Sequence, residues 1–263
     1  MGTGSREKKE SCDAFHRGAF FLLQPRLKGH RCGMDAMLLA GLVPSNFSGT
    51  VLDIGAGAGA VGFAVAARCK DARVILLERS SFMAHYARAS LALPQNVLLA
   101  SRLRLIEGDI TVRGGERRAF GLFENSIDFA LMNPPFNKAD DRQTPDKLKA
   151  EAHVMPANLF EDWLRAAASL VRPSGFLGLI ARPSSLRDIL VALDGRFGGA
   201  QLIPLHPRPF MPAIRILLYA QRASRAPLSF LPPLILHDAV GHNFTTHVDA
   251  INNGRLSFWD TRL

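Results

Sequence analysis

Short apolar runs alternate with amphipathic stretches along most of the chain, and glycine or proline marks many of the boundaries between them. The apolar runs predict strands at residues 50–54, 73–78, 103–106, 127–132, 176–181, 201–205 and 214–220. The stretches between them have the spacing of amphipathic helices, at residues 35–43, 60–69, 80–93, 157–171 and 186–193. Strands separated by helices form βαβ units. The pattern therefore predicts an α/β fold with a doubly wound, mostly parallel sheet and a C-terminal antiparallel hairpin.

The same pattern divides the chain into one domain and two flanking segments. Residues 1–17 are polar without apolar periodicity and predict a flexible tail. Residues 18–225 predict a single domain, and residues 226–263, which are richer in Pro and His, predict an appendage packed on that domain. Within the domain, Asp35 is predicted to cap the helix that follows it.

The composition excludes several classes of protein and shows an excess of basic over acidic residues. Lys and Arg number 32 against 23 Asp and Glu, which gives a formal net charge of +9 and is compatible with a polyanionic partner. The three cysteines form no close pair and the histidines are scattered, so we expect neither a disulfide framework nor a metal site. No apolar run approaches the roughly 18 residues that span a bilayer, and no apolar signal core begins the chain. We therefore expect a cytoplasmic protein that does not bind membranes.

A glycine-rich loop joins the first strand of the repeating pattern to the next helix. Its sequence is Asp53-Ile54-Gly55-Ala56-Gly57-Ala58-Gly59. Glycines allow a tight turn and a close approach of a ligand to the free N–H groups at a helix start. This context favours a nucleotide-type ligand over glycines that serve only close packing of the helix on the sheet. Residues 57–62 also fit GxGxxG, with Glu78 about 20 residues on, so a nicotinamide or flavin dinucleotide stays open.

Asp53 narrows the choice of ligand. A carboxylate directly before the glycines would repel a pyrophosphate but attract a ligand with an ammonium and a sulfonium group. The arrangement resembles the first motif of class I S-adenosylmethionine-dependent methyltransferases, and so implies a Rossmann-like methyltransferase sheet and S-adenosylmethionine as cofactor. The resemblance implies that Glu78 binds the ribose hydroxyls and that Asp109 meets the adenine edge. Asp109 is alternatively a turn residue after Gly108.

The tetrapeptide Asn133-Pro134-Pro135-Phe136 follows the apolar run 127–132, at the edge where open α/β sheets bind ligands. The prolines fix the backbone and hold Asn133 out of the helical region. The Asn133 side-chain oxygen and the Pro134 carbonyl would then accept both N–H bonds of a planar amine, and Phe136 would stack on its flat group. Such catalysis works by positioning and electrostatics. A strand-ending turn is the alternative, but with the glycine loop the tetrapeptide resembles methyltransferases that modify adenine, guanine or glutamine amino groups.

Further segments resemble a small family of bacterial methyltransferases that act on the 6-amino group of an adenosine beside the anticodon of a valine tRNA. These segments are Phe21–Arg26, Gly29–Arg31, Met34–Ala40, residues 137–153, Arg215–Tyr219 and residues 227–238. The resemblance implies that Arg31 and Asp35 lie near the methionine part of the cofactor, although Arg31 could instead bind phosphate and Asp35 could be only a helix cap. Phe136 stands where adenine-modifying members often have Tyr, so the 2-amino group of guanine in ribosomal RNA remains an alternative.

The anticodon region of the tRNA would be bound by basic loops around the Asn133 edge. The candidate residues are Arg26, Lys28, Arg31, Arg113, Arg117, Arg118, Lys138, Arg142, Lys147 and Lys149. Solvated surface charge is the plainer interpretation of many of them. Two further alternatives stay open: a protein glutamine-N5 methyltransferase, and an RNA-binding protein that keeps the methyltransferase fold without turnover.

Overall fold

The computed structural model describes residues 10–26, 32–135 and 158–260, together with the backbone of 137–138 and 154–155. In chain order the strands are β1 (Glu10–Phe15), β2 (Phe20–Pro25), β3 (Gly49–Ile54), β4 (Ala72–Glu78), β5 (Leu103–Glu107), β6 (Ile127–Met132), β7 (Asn137–Lys138), β8 (Val154–Met155), β9 (Val171–Ala181), β10 (Phe197–His206), β11 (Arg215–Arg222), β12 (Ser229–Phe230) and β13 (Leu234–Ile235). The helices are α1 (Met34–Ala40), α2 (Ala60–Arg68), α3 (Ser81–Leu91), α4 (Val97–Ala100), α5 (Gly114–Ala119), α6 (Leu159–Leu170), α7 (Leu186–Leu193) and α8 (Thr246–Asn252).

Nine of the described strands form one sheet, in the order β5-β4-β3-β6-β9-β11-β10, with β12 and β13 both paired to β10. All neighbouring pairs are parallel except those of β11, which is antiparallel to β9 and to β10. This confirms the predicted α/β class and the antiparallel hairpin. The direction of strand succession reverses between β3 and β6, and ligands bind open α/β sheets at such a point.

The central strands are almost continuously apolar because helices cover both faces of the sheet. On one face α1 and α2 pack with Phe20 and Leu22 of β2, and on the other α6 and α7 cover β6 and β9. The small residues of α2 let this helix lie close to β4, and a methyl group built at Gly62 would come within 2.2 Å of a Leu76 methyl. Helix α2 therefore places its amino end tightly against the carboxyl end of β3.

The prediction of a flexible tail is wrong for residues 10–17. Strand β1 pairs antiparallel with β2, from Glu10 opposite Pro25 to Phe15 opposite Phe20, and a short 3-10 helix joins the two strands. The strand was hidden in the sequence because its side chains are only exposed or half-buried, so polar residues serve as well as apolar ones. Residues 1–9 lie outside the described chain.

The β1–β2 hairpin is attached to the domain through two buried polar side chains. Asn96 exchanges hydrogen bonds with the backbone of Phe21, at 3.0 Å from its N–H and 2.6 Å to its carbonyl. The Ser90 hydroxyl accepts a 3.0 Å bond from the Leu23 N–H. These contacts fix the segment before α1, because Gln24 on the same strand accepts a 2.7 Å bond from the Cys32 N–H.

Other boundaries also differ from the prediction. The stretch 113–118, which holds three residues expected on basic loops, lies mostly in α5, and β9 begins at Val171 rather than at residue 176. Helix α1 starts after Gly33, so Asp35 lies in its first turn and does not cap it. In the predicted appendage, β12 and β13 extend the sheet and α8 lies against α1. The division of the chain at residue 225 stays a prediction.

Candidate active site at the β3–β6 edge

The glycine loop after β3 folds back onto the neighbouring strand. The N–H groups of Gly55 and Ala56 donate bonds of 2.9 and 3.0 Å to the carbonyl of Leu77 in β4. The backbone is left-handed at Gly55 (φ +71°) and Gly57 (φ +59°), which a residue with a side chain adopts only at a cost. The loop therefore presents bare backbone to the space above the strand ends.

Two acidic side chains hold this loop from below. Glu78, at the end of β4, accepts a 2.8 Å bond from the Gly57 N–H and a 2.7 Å bond from the Ser80 N–H. Asp53, at the end of β3, accepts a 2.9 Å bond from the Gly62 N–H in the first turn of α2. Asp53 is 1% exposed and Glu78 7% exposed, so both carboxyl groups are buried under the loop.

Burial is the main cause of the shifted pKa of the Asp53 carboxyl. It raises the pKa of this carboxyl to about 7, with the Gly62 hydrogen bond acting in the opposite direction and the Glu78 charge adding to the rise. A cationic ligand above the loop would lower the pKa of Asp53 again, since a positive charge nearby favours the carboxylate. The site is therefore prepared for a positively charged ligand and unfavourable for a phosphate.

A cavity of about 30 Å³ lies at this edge, lined by the loop and by Cys32, Asp53, Met83 and Asn133. A volume of this size corresponds to about one water molecule. A nucleoside-sized ligand therefore requires the lining side chains to shift. Met83 is the flexible member of the lining, and its terminal methyl group lies 3.7 Å from a Cβ built at Gly57.

Larger cavities lie elsewhere. One of about 650 Å³ is at the amino end of β10, and one of about 460 Å³ is between β13 and α8. Neither is lined by Asp53, Glu78 or Asn133. Size alone therefore does not indicate the site, whereas the strand order and the polar groups do.

Asn133 follows β6, directly beside β3 in the sheet, where Met132 pairs with Ile54. Its side-chain Oδ1 is buried and has no hydrogen-bond partner within the described part of the chain. A buried acceptor without a donor costs free energy, and such an atom in a native site calls for an explanation. A donor on a ligand would satisfy it. Pro134 is buried, and Phe136 lies outside the described residues.

The structure gives the other predicted cofactor residues local partners. The Asp109 carboxylate accepts bonds from the Thr111 N–H (2.8 Å) and hydroxyl (2.7 Å) and lies 3.8 Å from Arg79, so it forms a turn at the end of β5. Asp35 accepts a 2.8 Å bond from the Arg215 Nε, which joins α1 to β11. Their contacts with a cofactor stay predictions, as does that of Arg31, which lies outside the described residues.

The predicted RNA-binding arginines differ in their exposure and in their hydrogen-bond partners. Arg26 and Arg113 are exposed, and Arg118 pairs with Glu124 at 3.3 Å. Arg117 donates to the carbonyls of Ile110 (3.2 Å) and Val112 (2.7 Å) and to the Ser169 hydroxyl (3.1 Å). Its assignment to RNA is therefore corrected, because its guanidinium holds the loop after β5.

The remaining basic candidates lie where no side chain is described. These are Lys28, Lys138, Arg142, Lys147 and Lys149.

Two residues at the site were missed from the sequence. The sulfur of the half-buried Cys32 lies against the N–H groups of Ala58 and Ala60, and desolvation raises the pKa of its thiol to about 12, so the thiol stays neutral. Trp163 of α6 lies over the glycine loop, with its Cη2 only 2.7 Å from a Cβ built at Gly55. No local motif marks either residue, because each reaches the loop from another element.

No helix within the described ranges is long and apolar enough to span a membrane. In those same ranges, no group of three His, Cys, Asp or Glu side chains is placed to hold a metal ion.

Comparison with known proteins agrees with this geometry. A family model described as the methyltransferase small domain matches residues 32–202. A tRNA1(Val) (adenine(37)-N6)-methyltransferase of Porphyromonas gingivalis is 30% identical over 81% of this chain and 83% of its own. A crystal structure of a predicted O-methyltransferase from Agrobacterium tumefaciens is 42% identical, with a TM-score of 0.74, over 85% of this chain and 98% of that chain. TYW2 of M. jannaschii, solved with AdoMet, shares the fold at 10% identity and a TM-score of 0.56 over 83% of this chain and 87% of that chain.

The residues under the loop fit the cofactor that this fold binds. Asp53 and Glu78 match a ligand with cationic groups and ribose hydroxyls, and the bare backbone at Gly55 and Gly57 allows close approach. The family model covers well over half of the chain. The chain thus belongs to the methyltransferase small domain family and is an S-adenosylmethionine-dependent methyltransferase.

Proposed function

We propose that this enzyme transfers a methyl group from S-adenosylmethionine to the exocyclic N6 amine of an adenosine in tRNA, beside the anticodon. The observation that supports this most directly is the unpaired Oδ1 of Asn133 next to the cofactor cavity. An amine N–H would satisfy it, and the Pro134 carbonyl would accept the second N–H. S-adenosylmethionine supplies the methyl group when bound, and the protein orients the acceptor nitrogen toward it.

The names of several relatives support the same substrate. Relatives from Porphyromonas gingivalis and Bacteroides fragilis, at 30% and 26% identity, are named as tRNA1(Val) (adenine(37)-N6)-methyltransferases. A base in a single-stranded loop is cheaper to swing into a pocket than a stacked, paired base.

The described arginines are also compatible with RNA at this edge. Arg113, which lies beyond the carboxyl end of β5, and Arg26, which directly follows β2, are both exposed.

A hydroxyl acceptor is the second candidate, because the 42% identical relative is described as a predicted O-methyltransferase. A hydroxyl must lose its proton to become a good nucleophile, and a nearby general base is the usual means. Neither His nor Lys lines the described cavity, and the Asp53 carboxylate is bonded to the Gly62 N–H. An exocyclic amine attacks through a lone pair that two acceptors help to localise. The described site therefore favours nitrogen over oxygen.

The test is transfer of labelled methyl groups to total RNA and, in parallel, to total protein from a strain that lacks the enzyme, followed by nucleoside mass spectrometry of the RNA. We expect labelled N6-methyladenosine, which nuclease mapping places in the anticodon loop of valine tRNA. Labelled N2-methylguanosine would indicate the guanine reaction, and a 2′-O-methylated nucleoside would indicate a hydroxyl acceptor. Label only in protein would indicate glutamine methylation. If no acceptor is labelled, the chain is an RNA-binding protein that keeps the methyltransferase fold without turnover.

A further inference from the structure

The turn between β10 and β11 ends in an exposed apolar tip. Phe210 is fully exposed (105%), more than any other large apolar side chain in the described ranges, and its neighbours Met211 and Ile214 are 50% and 42% exposed. Exposed single apolar residues are common, but a whole aromatic ring held in solvent is unusual. Phe210 therefore has no packing role in the described structure.

The backbone under this ring is strained and firmly held. Phe210 has φ +65°, a region that a bulky residue rarely adopts. The Met211 N–H donates to the Arg208 carbonyl at 3.2 Å, and the Ile214 N–H donates to the Leu205 carbonyl at 2.9 Å. Strained backbone persists only where its surroundings impose it, and it is concentrated at functional sites.

The Arg208 side chain strengthens the turn from the other side. Its guanidinium donates to the carbonyls of Asp238 (2.7 Å) and Gly241 (2.6 Å), which lie on a separate segment. The His206 ring donates from Nδ1 to the Met211 carbonyl. The turn is thus a fixed platform that presents Phe210 outward.

This platform stands at the same edge of the sheet as Asn133. Strand β10 runs parallel to β6, so the turn after β10 and the tetrapeptide after β6 both follow carboxyl strand ends. Two strands, β9 and β11, lie between them, so the two strand ends are three inter-strand spacings, or roughly 14 Å, apart across the sheet. Ile203 of β10 is level with Asn133, and β10 runs three residues, or about 10 Å, further before the turn begins. Arg182 follows β9, and Arg215, whose guanidinium pairs with Asp35, begins β11, so both residues lie between Asn133 and Phe210 in the order of strands.

We propose that Phe210 stacks on an unpaired base of the RNA substrate, a few nucleotides from the target amine. The inference rests on the proposed function and adds a substrate contact to it. An exposed aromatic ring beside cationic side chains is the combination by which proteins bind single-stranded nucleic acid, since every base offers a flat face and every nucleotide a phosphate. Beside the ring the tip exposes only parts of Met211 and Ile214, and the arginines that follow β9 and begin β11 suit a polyanion better than an apolar protein surface.

The test compares Phe210→Ala, Phe210→Leu and Phe210→Trp in steady-state methylation of unmodified valine tRNA transcript. We expect Phe210→Ala to raise the KM for tRNA roughly ten-fold, as loss of one base–aromatic stack does, with kcat and the KM for S-adenosylmethionine unchanged. Phe210→Leu keeps an apolar side chain without a flat ring and is expected to resemble Phe210→Ala. Phe210→Trp is expected to match or improve on the wild-type KM.

Phe123→Ala is the matched control. Phe123 is also exposed (53%) but precedes β6, at the opposite edge of the sheet, so its loss should not change the KM for tRNA. If Phe210→Ala has the same KM for tRNA as the wild-type enzyme, the inference is overturned. The proposed function still stands in that case, provided that the wild-type enzyme methylates tRNA. A wild-type KM in Phe210→Leu would also overturn the inference, because the contact with the tRNA would then require only an apolar side chain and not a stacked ring. Failure of the wild-type enzyme to methylate any RNA would instead refute the proposed function.

Discussion

The Asp53 carboxylate and the Gly62 N–H are joined by a 2.9 Å hydrogen bond that links the end of β3 to the first turn of α2. The N–H groups at a helix start have no partner within the helix, so the carboxylate both satisfies one of them and is fixed by it. Because Asp53 also lines the cavity, the same side chain supports the loop and sets the charge of the site.

The first prediction concerns pH. The pKa of Asp53 is raised by burial to about 7, so the folded protein keeps a proton that the unfolded chain loses near pH 4. The free energy of unfolding without ligand should therefore fall as pH rises from 4 to 7. A cationic cofactor favours the carboxylate, so affinity for S-adenosylmethionine should rise with pH, by at most about ten-fold per unit below pH 7, and level off above pH 8.

Calorimetric titration at pH 6, 7 and 8 measures this dependence. Asp53→Asn keeps an acceptor for the Gly62 N–H but cannot ionise, and we expect weaker binding with no pH dependence over this range. The Cys32 thiol, with its pKa raised to about 12, stays protonated throughout. An equal affinity of the wild-type enzyme at all three values would contradict the role given to Asp53.

Asn133 is predicted to act on turnover rather than on cofactor binding. Asn133→Ala removes the unpaired Oδ1, and kcat should fall by roughly 100- to 1000-fold, as when a positioned polar group is removed from an active site. The Kd for S-adenosylmethionine should change by less than about three-fold. Asn133→Asp retains an acceptor oxygen and should keep more activity than Asn133→Ala. Methylation at the wild-type rate by Asn133→Ala would show that the amine is not positioned in this way.

The two glycines of the loop are predicted to differ in how a methyl group affects them. At Gly55 a Cβ would come within 2.7 Å of the Trp163 ring, whereas at Gly57 the nearest atom is 3.7 Å away. Both have positive φ, so Gly55→Ala should lower the free energy of unfolding by about 1–3 kcal/mol more than Gly57→Ala. Chemical denaturation measures the difference. Replacing Trp163 with Leu in the Gly55→Ala variant should recover part of the lost free energy of unfolding. If nothing is recovered, the loss comes from the backbone conformation at Gly55 and not from the contact with Trp163.

The attachment of the β1–β2 hairpin should depend on Asn96. Asn96→Ala removes the bonds to both backbone groups of Phe21 and a 2.7 Å bond to the Ser90 carbonyl, and it leaves these groups without partners. We expect a loss of about 2–4 kcal/mol, measured by denaturant unfolding. Asn158, which is exposed and makes no capping bond at the start of α6, is the control, and Asn158→Ala should change stability by less than about 0.5 kcal/mol. Equal effects of the two changes would contradict the attachment.

Arg117 is predicted to stabilise the fold, whereas Arg113 is predicted to contact RNA at the surface. Arg117→Ala breaks bonds to two loop carbonyls and to Ser169, so we expect a loss of about 2 kcal/mol in the free energy of unfolding. Arg113 is exposed, and Arg113→Ala should leave stability unchanged while weakening tRNA binding at low salt. Measuring unfolding and tRNA affinity for both variants tests the pair. A weaker affinity with normal stability in Arg117→Ala would return that residue to the RNA surface.

The central part of the fold could be predicted because its strands are short apolar runs with sharp ends. The predicted bounds of β6 and α7 agree with the structure, since a glycine, proline or polar turn limits each of them. Strand β1 could not be predicted, because its residues need only a neighbouring strand and not burial. The stretch from Val171 to Gly175 resembles a turn but continues β9 with a left-handed Ser174.

The site was only partly predictable for a related reason. Spacing along the chain placed Asp53, Glu78 and Asn133 at strand ends, and parallel pairing brings such ends to one edge. The sequence does not reveal how deeply a side chain is buried. The unpaired Asn133 oxygen, the nearly full burial of Asp53 and the cover provided by Trp163 depend on distant elements, and no short motif encodes them.

The position of β11 has a consequence for how this chain can be shortened. Strand β11 lies between β9 and β10, although it follows both in the chain. A polypeptide released at residue 202, where the family match ends, would have β10 cut short and without the strand that joins it to the sheet. The region matched by the family model is thus smaller than the region that must be synthesised before the sheet can close. The ribosome must complete β11 before β10 can pair with the rest of the sheet.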